Sequence, residues 1–128
     1  MTHVGIDYGR KRTGFAMEVS GTVIPLEPLD GSTWKGILRR LEDIRGERGA
    51  ISVVLGLPLS ASGRPTELSR EVEELADYLS AGGFPVDTVD ETGSTEEAFR
   101  VGMPPRKRDG RSDSLAAMII LKRYLAIP

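Results

Sequence analysis

The run at residues 50–57, Ala-Ile-Ser-Val-Val-Leu-Gly-Leu, is apolar nearly throughout and ends at Pro58. A strand with one wet face alternates apolar and polar side chains; a strand without that alternation has to be covered on both faces. This segment therefore predicts the central strand of a sheet flanked by helices.

The flanking sequence supplies the other elements. Residues 3–8 and 13–19 are short β-branched or aromatic runs joined by Gly9-Arg10-Lys11-Arg12, the pattern of a β-hairpin. A third strand is predicted at residues 22–29, at a sheet edge, because Pro25 and Pro28 cannot donate ladder hydrogen bonds. Ser32 is placed to cap a helix whose apolar stripe is Trp34, Ile37, Leu38, Leu41 and Ile44. After the central strand, residues 66–79 carry Leu68, Val72, Leu75, Ala76 and Leu79 on one helical face and stop at Gly82-Gly83. Residues 86–90 form a predicted fifth strand, and Ser94-Thr95-Glu96-Glu97 a capping box for a short helix. The last helix is expected to start near Ser112; it is apolar nearly all round at residues 115–121, so it must pack against the sheet. The loop at 102–111, rich in Gly, Pro and cations, is the expected mobile segment.

An antiparallel meander followed by β-α-β units, which add parallel strands through right-handed crossovers, gives an α/β fold with a mixed five-stranded sheet. With 128 residues, no repeat and no linker, a single domain over residues 1–128 is expected. The absence of cysteine excludes disulfides, thiol nucleophiles and cysteine-ligated zinc or iron–sulfur sites. The N-terminal residues show no basic segment followed by an apolar run, and no window approaches the ~20 apolar residues of a membrane span. A cytoplasmic protein without membrane contact is the expectation.

Three acids stand at element ends: Asp7 after the first strand, Glu91 after the fifth with Asp90 beside it, and Asp113 in the first turn of the last helix. If the first and last of these strands flank the 50–57 strand, their ends lie within one or two strand spacings of about 4.8 Å, and the carboxylates can converge. Each acid also has a purely structural explanation, in turn formation for Asp7 and in the helix dipole for the others. Asp113, however, shares a helical face with Ala116, Ala117 and Ile120, and burying three acids together is costly unless a cation compensates. Oxygen ligands select hard divalent ions, Mg2+ or Mn2+, and such ions support phosphodiester hydrolysis. His3 is the only histidine, so a multi-histidine zinc site is excluded.

Net charge is −2, from 17 cations and 19 anions, which argues against a generally basic nucleic-acid binder. The distribution is uneven. Arg10, Lys11 and Arg12 form one cluster; Arg106, Lys107, Arg108 and Arg111 form a second immediately before Asp113. Charge runs are commonly solvated surface. Beside an acid cluster, these seven residues are candidates for phosphate contacts that position a nucleic acid without reading its bases.

The blocks Val4-Gly5-Ile6-Asp7-Tyr8-Gly9-Arg10-Lys11-Arg12-Thr13-Gly14, Gly56-Leu57-Pro58, Asp90-Glu91 and Asp113 with Ala116-Ala117 resemble the YqgF/RuvX family of Holliday-junction-resolvase-like proteins and pre-16S rRNA nucleases. The resemblance covers essentially the whole chain. It implies an RNase H-like fold with strand order 3-2-1-4-5 and strand 2 antiparallel. It further implies Mg2+- or Mn2+-dependent nuclease chemistry with Asp7, Glu91 and Asp113 as catalytic metal ligands, and Asp90 as an accessory acid. The expected substrate is an rRNA precursor or branched DNA; symmetric junction cutting needs two active sites, so a homodimer goes with the DNA reading. One departure stands out: the family usually reads Asp-Glu-Arg-x-Thr-Thr, and here Thr92 takes the place of the arginine. Two alternatives remain open at this point, a non-catalytic nucleic-acid-binding or ribosome-assembly factor and a single-lobe relative of actin-like nucleotide binders.

Overall fold

The computed structural model describes residues 1–91 and 110–127; of residues 110–113 only the backbone is considered. The elements are β1 (Thr2–Asp7), β2 (Arg12–Val19), β3 (Thr22–Asp30), α1 (Trp34–Arg48), β4 (Ile51–Leu57), α2 (Glu67–Ala81), β5 (Val86–Asp90) and a C-terminal helix, α3 (Gly110–Leu125). They build one five-stranded sheet in the order β3-β2-β1-β4-β5. β2 is antiparallel to both neighbours, whereas β1, β4 and β5 run parallel. The mixed sheet and its order are those the sequence resemblance implied. Among the described residues, no helix is long and apolar enough to cross a membrane.

β4 is interior and covered on both faces, as its nearly continuous apolar run required, though the middle strand of the five is β1. Ile51, Val53 and Leu55 join a large core with Ile37, Leu41 and Ile44 of α1 and Val72, Leu75 and Leu79 of α2. Val54 points to the opposite face and packs with Ala16, Ala117, Ile120 and Leu121. Strand alternation thus feeds two cores, with α1 and α2 on one face and α3 on the other. The proline-bearing β3 occupies one edge.

The helix caps show where local pattern and tertiary context part company. Thr33, not Ser32, caps α1: its Oγ1 accepts from Gly36 N at 3.0 Å, on an extended backbone at φ −85° and ψ 146°. Ser32 is buried and its hydroxyl instead accepts from Thr13 Oγ1 at 2.6 Å, across the start of β2. Two adjacent hydroxyl residues compete for the cap, and a partner distant in sequence decides between them. α2 opens with a reciprocal box in which Thr66 and Ser69 exchange side chain to backbone hydrogen bonds. α3 begins at Gly110, ahead of the expected Ser112, so Gly110 and Arg111 are helical rather than part of the 102–111 loop. The rest of that loop and the capping box at 94–97 lie outside the described residues.

α3 crosses the sheet at close range because Gly5 of β1 and Gly56 of β4 offer no side chain beneath it. A Cβ at Gly5 would lie 2.6 Å from Leu121 Cγ and 2.8 Å from the Ala117 carbonyl oxygen, well inside van der Waals contact. The Ala117 oxygen is backbone and cannot rotate away. Gly5→Ala is therefore expected to destabilise the protein by about 1–3 kcal/mol, the usual cost of overpacking, read as a lowered denaturation midpoint in urea. A change within about 0.5 kcal/mol, typical of uninvolved surface sites, would contradict this packing.

Candidate active site

The parallel arrangement of β1, β4 and β5 brings their C-terminal ends to one edge of the sheet. Ile6 pairs with Leu55, and Leu57 with Asp90, so the residues following these pairs emerge side by side. Asp7, the last residue of β1, falls on the same face as Gly5 by strand alternation, the face covered by α3. Glu91 follows β5, with its backbone N–H donating to Leu57 O at 3.2 Å.

Gly56 lets the two acids meet. A Cβ there would overlap Ile120 Cδ1 and sit 3.0 Å from Glu91 Oε2, which places the Glu91 carboxyl directly over the glycine. From that position Glu91 shares a side-chain hydrogen bond with Asp7. Burial pushes the Glu91 carboxyl above its ordinary range; the bond to Asp7 and the charge of Arg123 act in the opposite direction, and Asp90 adds repulsion. Two carboxyls in hydrogen-bond contact need a shared proton or a cation between them.

Asp90 closes β5 and is exposed, acting on Glu91 through its charge. Asp113 lies in the first turn of α3, and its side chain is outside the described set. The backbone of that turn is located by its neighbour. Buried Ser114 donates through Oγ to Leu26 O at 2.5 Å, and Leu26 is in register with Phe15, itself paired with Ile6. The first turn of α3 therefore stands at the level of the end of β1. Among the described residues, no group of three His, Cys, Asp or Glu side chains is gathered for a metal; at the strand ends Asp7 and Glu91 meet as a pair.

The basic clusters divide. Arg10 pairs with Glu71 of α2 at 3.3 Å, and Arg12 with Asp30 of β3 at 3.1 Å, both at the surface. Lys11 is exposed at the tip between them. Surface pairs of this kind are worth little. Arg111 lies in the first turn of α3 with its side chain outside the described set, as are Arg106, Lys107 and Arg108 entirely. His3 belongs to the opposite end of β1, where Nδ1 and Glu18 Oε1 are 3.0 Å apart.

Three residues not singled out by pattern support the site. Tyr8, next to Asp7, is buried; its hydroxyl accepts from Trp34 Nε1 at 3.3 Å and hydrogen-bonds Glu71. Burial, then the bond to Glu71, push the Tyr8 hydroxyl up. The bond to Tyr8, together with Arg10, holds Glu71 below the usual carboxylate range. This network ties the turn after Asp7 to α1 and α2. The aromatic residue beside Asp7 was a visible signal, but its partner Glu71 lies 63 positions away, between Tyr8 and a helix surface whose acids look merely solvated. Arg123, the third, reaches the end of β5 from α3, with Nη1 donating to Asp90 O at 3.0 Å.

Comparison with known proteins bears on this arrangement. The sequence matches the model of the family described as "RuvX: Holliday junction resolvase" over residues 1–127. A protein of Syntrophus aciditrophicus (strain SB) named "Putative pre-16S rRNA nuclease" is 36% identical over 132 aligned residues, covering 98% of this chain and 88% of that protein. A relative of the same name from Oleidesulfovibrio alaskensis is 33% identical and covers all of this chain and 94% of its own. Among solved structures, T. thermophilus RuvC in complex with Holliday junction substrate superposes with a TM-score of 0.58 at 16% identity, over 98% of this chain and 95% of that one. Fowlpox virus resolvase with substrate Holliday junction DNA gives 0.55 at 13%, over 98% and 97%. These structural likenesses bear on the fold and identify it as RNase H-like. With its family model matched from end to end and relatives above 30% identity along nearly its whole length, the chain belongs to the RuvX family.

Proposed function

We propose that this chain is a metal-dependent endonuclease of one domain, residues 1–128, acting on nucleic acid in the cytoplasm. The observation that carries the proposal is the hydrogen-bonded pair of Asp7 and Glu91 carboxyls, half-buried at the strand ends where the first turn of α3 brings the backbone of Asp113 to the same level. An all-oxygen donor set of this kind fits Mg2+ or Mn2+ and fits soft metals poorly. The contact between the two carboxyls marks where a cation would be accommodated, since ligands must give up their protons to bind one.

Asp7, Glu91 and Asp113 would hold the ion, with Asp90 lending negative charge from outside. Held by these oxygens, a divalent ion supplies charge that favours water ionisation and stabilises the leaving oxygen of a phosphodiester. The protein's own contribution is orientation. The glycine under Glu91 sets how deeply its carboxyl sits, and the Tyr8, Trp34 and Glu71 network fixes the chain direction leaving Asp7. Arg10, Lys11 and Arg12 on the hairpin, with Arg106, Lys107, Arg108 and Arg111 ahead of Asp113, would receive the backbone phosphates. The names of the full-length relatives favour a precursor of 16S rRNA as substrate. The family description keeps branched DNA as the second, for which a homodimer would present two active sites.

Cleavage of pre-rRNA fragments, single strands, duplexes and four-way junctions, each with Mg2+, Mn2+ or EDTA, tests this reading. Asp7→Asn and Glu91→Gln are each expected to lower cleavage by more than about 100-fold, beyond the 10–100-fold typical of residues that only support ligands. Full activity in a clean Asp7→Asn preparation would sink the assignment. In metal-free protein Glu91→Gln should leave the melting temperature unchanged or raised, because a neutral amide replaces a desolvated carboxyl.

Adding Mn2+ at 100 times its Kd should stabilise wild-type protein by about 2.7 kcal/mol through mass action. The same addition to Asp7→Asn should do far less, and equal shifts in the two proteins would place the ion elsewhere.

Alanine at Arg106, Lys107 and Arg108 together should make the log–log salt dependence of duplex binding shallower by about 2 to 3, at roughly 0.9 per phosphate contact. An unchanged slope with unchanged affinity would return these residues to solvated surface.

A further inference from the structure

The last turn of α3 carries two consecutive side chains that reach the edge strand β5. Arg123 Nη1 donates to Asp90 O at 3.0 Å, and Tyr124 OH donates to Asp87 Oδ2 at 2.9 Å. β5 has only five residues and pairs on one side with β4, so its end is weakly held by the sheet itself. Glu91 follows at once, with its N–H tied to Leu57 O. The peptide between the Arg123 contact and the Leu57 contact is thus pinned from α3 on one side and from β4 on the other. The Arg123 charge is also felt at the Glu91 carboxyl. In this acid pair the guanidinium arrives from α3, while Thr92 stands where the family usually carries its arginine.

We propose that Arg123 is a positioning residue of the metal site, which fixes the Asp90 carbonyl and thereby aims the Glu91 carboxyl at Asp7. This rests on the metal-site reading above. Arginine suits the task because its planar fork holds direction, whereas lysine offers a mobile point charge. Groups that orient a metal ligand typically account for 10–100-fold in metal affinity. A purely electrostatic role has the opposite sign, since a cation beside the site repels the ion.

Calorimetric titration of the full chain with Mn2+, without substrate, separates these cases. Arg123→Lys keeps the charge and gives up the fork; Arg123→Met gives up both; Tyr124→Phe removes only the neighbouring clasp. Both Arg123 variants are expected to bind Mn2+ about 10–100-fold more weakly, with Tyr124→Phe binding as wild type and melting temperatures similar across the set. Tighter binding by Arg123→Met with no change in Arg123→Lys would overturn the proposal in favour of simple repulsion. Unchanged binding in both would overturn it outright, and equal weakening in Tyr124→Phe would reduce it to a general loosening of β5. If Arg123→Met fails to fold, Arg123→Lys carries the same decision alone. Wild-type protein that takes up no Mn2+ would overturn the metal-site reading itself, a result distinct from wild-type and Arg123 variants binding it equally.

Discussion

The close seating of α3 on the two glycines of β1 and β4 is the constraint from which the rest of the site follows. Gly5 and Gly56 leave room for Leu121, Ala117 and Ile120 to reach the sheet, and only at that distance does the helix bring its first turn to the level of Asp7. Gly56 serves twice, because the space above it is shared by Ile120 and the Glu91 carboxyl. Packing and chemistry are therefore one geometric problem here. A methyl group at Gly5 would press on the Ala117 carbonyl of the helix that carries one of the proposed ligands, and one at Gly56 would press on the Ile120 side chain and the Glu91 carboxyl.

The site opposes stability in the metal-free protein. Burial raises the Glu91 carboxyl's affinity for its proton and the charge of Asp90 adds repulsion, against which the bond to Asp7 and the charge of Arg123 act. Proteins tolerate such arrangements where function requires them and support them from elsewhere. That support is visible at the hairpin, where Tyr8 and Trp34 bind the start of the turn to α1.

Much of this was legible in the sequence, and the exceptions share a physical cause. The nearly continuous apolar run at β4 declared a strand covered on both faces, whereas the placing of β1 and β5 beside it, with their acids at one edge, came from the strand order that the family resemblance implied. Periodicity found the buried faces of α1 and α2, since those depend on neighbours three and four residues away. What sequence could not reveal depended on partners remote in the chain. Ser32 lost the cap of α1 to Thr33 because Thr13 engages it; Arg10 and Arg12 found Glu71 and Asp30; Arg123 found the carbonyl of Asp90. The glycines at 5 and 56 were visible as residues but not as contacts, because their value lies in what the opposite helix places over them.

The most direct test of the account is anomalous diffraction from crystals of the full chain grown with Mn2+. The account predicts a Mn2+ peak between the Asp7 and Glu91 carboxylates, at roughly 2.1 Å from an oxygen of each, a distance typical of small hard divalent ions, with an Asp113 oxygen completing the protein ligands. A well-ordered site in which Asp7 and Glu91 keep their mutual hydrogen bond while Mn2+ binds elsewhere would contradict it.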